Sequence, residues 1–150
     1  MRLRLETTLP ASSAQVWDVV SDWVRYAEWM PDVSWVRCVG GVPGVGLELD
    51  VRTKVLGVPA VTDRMTVRIW EPPRKLGIVH RGVVSGSALW KLEPVAGGTR
   101  FVWLEDLRMA PPLIGDVALW AYRPILILTF RWSMRNLAGL VTRREPGQGR

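Results

Sequence analysis

From residue 2 to residue 109 the chain reads mainly as an alternation of apolar and polar positions. Over 2–9, Leu3, Leu5, Thr7 and Leu9 share one parity and Arg2, Arg4, Glu6 and Thr8 the other, the pattern of a half-buried strand. The cleanest alternation sets Leu47, Leu49, Val51, Thr53 and Val55 against Glu48, Asp50, Arg52 and Lys54. A further run sets Val61, Asp63, Met65, Val67 and Ile69 against Thr62, Arg64, Thr66, Arg68 and Trp70. Strands are also predicted over 33–39, 76–83, 86–93 and 99–109. Their turns are the glycine-rich loop 40–46, Gly57–Pro59, Pro72–Pro73, Ser85–Gly86 and Gly97–Gly98.

Two interruptions carry helical spacing instead. After Pro10, Ser12 or Ser13 caps a helix bearing Val16, Trp17 and Val20, with Gln15 placed for a capping box. Asp22 is a second cap, for a short helix over 23–29 that Pro31 stops. The last apolar stretch, 112–144, is the only one long enough for a helix of several turns. Leu119, Trp120, Tyr122, Ile125, Leu126, Leu128, Phe130, Trp132, Met134, Leu137 and Leu140 leave little of it polar, so it needs cover on most sides. Pro124 predicts a break or kink near 122–124, with the main helix over 124–143.

Consecutive strands with short turns make an antiparallel meander, and so apolar a helix belongs on its inner face. The predicted fold is α+β. A seven-stranded curved antiparallel sheet wraps around the long C-terminal helix, with two short helices after the first strand closing one end. The space between sheet and helix is the expected site.

At 150 residues, 48% hydrophobic and 23% charged, the chain fits one soluble domain, placed at 1–144 with a frayed tail over 145–150. The net charge of +6 is dispersed, and the densest cluster is Arg143–Arg144. That favours a solvated surface over nucleic-acid binding. A single cysteine, Cys38, excludes a disulfide framework and suits a reducing cytoplasm. The first ten residues alternate and do not form a signal-peptide core. The stretch 113–130 is interrupted by Asp116, Arg123 and Pro124, so no membrane insertion is expected.

Short motifs, in order, resemble a known family. They are Pro10-Ala11-Ser12-Ser13 running into Val16-Trp17-Asp18-Val19-Val20-Ser21-Asp22, then Tyr26-Ala27-Glu28-Trp29-Met30-Pro31. Glu71-Pro72-Pro73-Arg74, Gly97-Gly98-Thr99-Arg100 and the segment 130–141 follow. Together they resemble the START/Bet v 1-like (SRPBCC) superfamily, in its polyketide cyclase/dehydrase and lipid transport branch. The resemblance covers almost the whole chain. It implies the helix-grip fold and a cavity for an apolar or aromatic small molecule. Some members are cyclases or aromatases and others only bind or carry, so the fold leaves the activity open.

Parity brings candidate chemistry inward: Asp63 with Met65 and Val67, Glu105 with Trp103, and His80, the only histidine. Arg131 and Arg135, one turn apart, are candidate partners from the helix. Glu105, Asp63, Arg131 and His80 are the candidate acid–base set. Met65, Val67, Trp90, Trp103, Trp120, Leu128, Trp132 and Arg135 are the candidate ligand-binding set. The alternative is structural: buried ion pairs that fix register, and tryptophans that only fill the core. Trp35 and Trp70, if both exposed, would mark a homodimer surface. One histidine and one cysteine make a zinc site unexpected, and no phosphate-binding glycine loop or serine elbow occurs. The expected partner is a hydrophobic small molecule, and no cofactor is expected. The first-ranked function is a carrier or binding protein; the second is a cyclase, aromatase or dehydratase using cavity acids and bases.

Overall fold

A computed structural model describes residues 1–143, so Arg144 and the expected tail over 145–150 lie outside the described residues. The strands are β1 (Arg2–Leu9), β2 (Val33–Gly40), β3 (Glu48–Val55), β4 (Val58–Glu71), β5 (Lys75–Arg81), β6 (Val84–Val95) and β7 (Gly98–Met109). The helices are α1 (Ser13–Val20), a 3₁₀ turn (Trp23–Arg25) running into α2 (Tyr26–Trp29), and α3 (Ile114–Arg143). All strands form one antiparallel sheet in the order β1-β7-β6-β5-β4-β3-β2. This is the helix-grip arrangement.

Local chemistry explains the entry to α1. The Gln15 amide donates to Oγ of Ser12 (3.2 Å) and the Ser12 amide to Oε1 of Gln15 (2.9 Å), the predicted capping box. Asp22, predicted as a second cap, makes no side-chain cap bond. The turn into β7 needs its glycines. At Gly98 the backbone φ is 153°, and a Cβ would come 1.9 Å from the Leu9 carbonyl oxygen. The next residue, Thr99, is fully buried and its hydroxyl donates to the Ala11 carbonyl (2.8 Å), tying this hairpin to the start of α1.

The core lies on the inner face of the sheet. Leu49, Val51, Val67, Leu76, Ile78, Trp90, Leu92, Phe101 and Trp103 are buried there under Phe130, Met134, Leu137 and Val141 of α3. The aromatic part is continuous. Trp23, Tyr26 and Trp29 pack on Trp90, with Trp29 and Trp90 centroids 5.3 Å apart. Trp103 stacks on Phe130 at 4.4 Å. This cluster seals one end of the space between sheet and helix.

Four expectations from the sequence are corrected. First, α3 is unbroken from Ile114 to Arg143, with Pro124 inside it. Pro124 and Trp120 are exposed, so water can satisfy the carbonyl that the proline leaves free. Second, α3 is covered on one side only. Gly115, Leu119, Phe130, Ser133, Met134, Leu137 and Val141 are its buried residues, and the opposite face is bare. Third, the β5–β6 turn is Gly82–Val83, and Ser85 and Gly86 lie within β6. Fourth, a bulge between Val67 and Ile69 reverses the parity of β4. Ile69 therefore faces out, and Trp70 turns in to pack edge-on against Trp17 at 5.1 Å. With Trp70 half-buried, Trp35 and Trp70 form no shared exposed patch.

Candidate functional site

A cavity of about 340 Å³ lies between the sheet and α3. Met30 and Val33 border it at one end, and Val61 and Met65 of β4 with Leu107 of β7 form the sheet wall. Leu119, Leu126 and Phe130 close it from α3. Polar side chains enter this apolar lining at a few points. Asp32, Asp63, His80, Glu105 and Tyr26 all line it.

Glu105 is the best-held of these groups. It is 6% exposed. Its Oε2 accepts a 2.6 Å hydrogen bond from the indole Nε1 of Trp103, two residues back on the same face of β7. Its Oε1 lies 3.2 Å from Nε2 of His80. That contact is off the hydrogen-bonding direction, so Nε2 has no aligned partner. The two residues come from strands that are not neighbours: β6 lies between β5 and β7, and its small Ala88, opposite Glu105 in register, leaves room for the contact.

Asp63 stands across the pocket on β4. Burial raises its carboxyl above the usual carboxylate range, opposed by His80 and by the Val83 backbone. Its Oδ1 is buried without a hydrogen-bond partner. It sits against the β5–β6 turn, where a Cβ on Gly82 would come 1.7 Å from that oxygen. Asp32, on the loop before β2, is pushed by burial up to about 6; its own backbone hydrogen bond opposes this, the charge of Glu105 adds to it, and Lys54 opposes it. Its Oδ1 also lacks a partner. Burial, with Asp32 and Glu105 adding to it, holds the Tyr26 hydroxyl well above its usual range and therefore neutral.

Of the candidates named from sequence, Glu105, Asp63, His80, Met65 and Trp103 line the cavity. Val67 and Trp90 are buried in the core but do not reach it. The others are corrected. Arg131 and Arg135 line a separate outer groove between β1 and α3. Trp120, Leu128 and Trp132 are exposed on the outer face of α3. On a helix apolar all round, spacing alone does not tell which stripe turns inward. Asp32 and Tyr26 were missed because neither belongs to a periodic run: Asp32 follows Pro31 in a turn, and Tyr26 opens a one-turn helix. Among the described residues no group of three or more His, Cys, Asp or Glu side chains is arranged to hold a metal ion.

The sequence model of the family described as polyketide cyclase/dehydrase and lipid transport matches residues 1–142. The chain belongs to this family. An uncharacterized protein of Mycobacterium tuberculosis is 25% identical over 137 residues, covering 86% of this chain and 77% of its own length. Among solved structures, the Zhui aromatase/cyclase of a Streptomyces species superposes with a TM-score of 0.79 at 19% identity, over 99% of this chain and 98% of that one. A Thermus thermophilus protein superposes with a TM-score of 0.80 at 15% identity, over 97% and 100%. At these identities the superpositions establish the shared fold. Family membership supports ligand binding or a cyclase role. No helix among the described residues is long and apolar enough to cross a membrane.

Proposed function

We propose that this protein binds a hydrophobic, ring-containing small molecule in the cavity between sheet and α3, as a carrier or binding protein. The observation that carries this reading is the lining itself. Apolar walls surround a few polar atoms, two of which, the Oδ1 atoms of Asp32 and Asp63, are buried without partners. Such atoms are costly until something donates to them. A flat apolar ligand bearing hydroxyl groups would fill the walls and satisfy both carboxylates. The volume is near the low end of small-molecule pockets, about 300–1,000 Å³. The likeness of the fold to the Zhui aromatase/cyclase adds weight to a polyketide-like ligand.

The contact between Glu105 and His80 favours a second reading, a cyclase, aromatase or dehydratase. The Glu105 carboxylate would take a proton from a carbon flanked by two carbonyls. The carbon's electron pair would then form a bond to the carbon of a third, more distant carbonyl, opening its C=O bond, and that oxygen would take a proton from Asp32 or His80. Loss of that hydroxyl with a neighbouring proton, as water, would leave a double bond. The test is a titration of tryptophan fluorescence with flat aromatic and polyketide-like compounds, on the wild type and on Glu105→Gln and Asp63→Asn. Ligand-dependent quenching without any product supports the carrier. Turnover that either variant abolishes while binding survives supports the enzyme. No response across the panel refutes both.

A further inference from the structure

The side of α3 turned away from the cavity is bare and apolar. Val117 is 68% exposed, Trp120 75%, Leu128 64% and Trp132 59%. With Ile114 at 72%, they mark a face running about 27 Å along the helix, at 1.5 Å per residue. Trp120 and Trp132, twelve residues or about 120° apart around the helix, stand towards the two sides of this face, and a soluble domain does not normally leave two tryptophans so exposed.

The flank of this face is basic. A groove of about 660 Å³ runs between the edge strand β1 and α3, and Arg2, Arg4, Arg123, Arg131 and Arg135 line it, with Glu6 the one carboxylate. Arg2 and Arg4 are engaged by Asp106 and Glu6. Among the described residues Arg123, Arg131 and Arg135 make no ion pair; the arginine pairs there belong to Arg2, Arg4, Arg25, Arg64 and Arg100. Along Ile114–Arg143 the only acid is Asp116.

We propose that this side of the molecule docks on an anionic lipid bilayer, with α3 lying in the plane of the interface. Trp120, Leu128 and Trp132 enter the boundary between headgroups and acyl chains, where amphipathic aromatic rings are at home. Arg123, Arg131 and Arg135 face lipid phosphates collected along the groove. A second copy of the chain is the poorer occupant: the molecule carries +6, and pairing two such faces brings their unpaired arginines together. The proposal does not depend on the cavity reading, since it uses the opposite face of the helix and its test needs no cavity ligand.

The full chain is mixed with vesicles of phosphatidylcholine alone, or of phosphatidylcholine with phosphatidylglycerol, and sedimented at low and high salt. The expected result is partition onto the phosphatidylglycerol vesicles, weakened by salt. Arg131→Gln and Arg135→Gln should each lower partition about fivefold. Trp120→Ser with Trp132→Ser should abolish it while thermal unfolding stays in place, because both side chains are exposed. Brominated acyl chains should quench wild-type emission, and this quenching should be lost in the tryptophan pair variant. The proposal is overturned by equal partition onto both vesicles or by none. It is equally overturned by a dimer in sedimentation equilibrium that Trp132→Ser dissolves, or by inorganic phosphate or an acidic peptide displacing the protein without any bromine quenching.

Discussion

Asp32 sets how stability responds to pH. Its folded carboxyl is near 6 against an ordinary 3.8, so the folded state holds that proton more tightly than the unfolded chain. A raised carboxyl contributes stability that is complete below the unfolded value and is lost as pH rises through about 6. Asp63 is raised too and acts in the same direction. Asp32→Asn removes the Asp32 part. A difference of 2.2 units (6 − 3.8) corresponds to about 3 kcal/mol at most. Because Asp32 keeps some contact with water, a gain of roughly 1–3 kcal/mol at neutral pH is expected, with a flatter pH profile in urea unfolding. Glu105 behaves differently, because its carboxylate is the acceptor for a buried indole. Glu105→Leu orphans Nε1 of Trp103 and should cost about 1–3 kcal/mol, whereas Glu105→Gln keeps an acceptor and should cost under about 1 kcal/mol. The inward placement of Glu105, Asp63 and His80 was legible because each sits in an undisturbed run of alternation: the irregularities of β4 fall before Val61 and after Val67, on either side of Asp63. Asp32 was not, since a turn has no period.

At the scale of single elements, Pro124 and the β5–β6 turn are the informative places. Pro124 sits in mid-helix where it removes a backbone donor, so Pro124→Ala should raise the unfolding free energy by about 1–3 kcal/mol, part of it offset by the freer unfolded chain. A drop in stability would show that the proline is shaping the helix and is not merely tolerated. At Gly82 an added methyl would strike the carboxylate of Asp63, the free end of a side chain. Gly82→Ala should therefore turn Asp63 from its position without unfolding the sheet. Paired with Asp63→Ala, it should show a coupling of about 0.5–3 kcal/mol in a double-mutant cycle. The strands and their order were readable because alternation and turn residues agree along most of the sheet. The bulge in β4 was invisible, since Ile69 and Trp70 are both apolar and neither parity is penalised. The exposed face of α3 was unreadable for a related reason: a helix apolar all round predicts burial all round, and here the outer side of the helix is exposed.

At the scale of the whole molecule, the sheet joins its first strand to its last. β1, the first strand made, pairs along its full length with β7, the last: Leu3 lies opposite Glu105 and Leu9 opposite Thr99. Every other strand pair joins neighbours in the chain. A chain emerging from a ribosome can therefore assemble β2 to β6 hairpin by hairpin, while β1 waits for about 90 residues of synthesis. During that interval β1 and the inner face of the sheet are unpartnered, and the cavity has neither its Glu105 wall nor its helical lid. In pulsed hydrogen exchange during refolding, the amides of β3 to β6 should gain protection before those of β1, and a chain ending at Gly97 should stay unfolded. Nascent copies queued on one message would each expose the same waiting strand, so the period of greatest aggregation risk lasts until β7 has been made, and early chaperone capture should matter more than the stability of the finished fold.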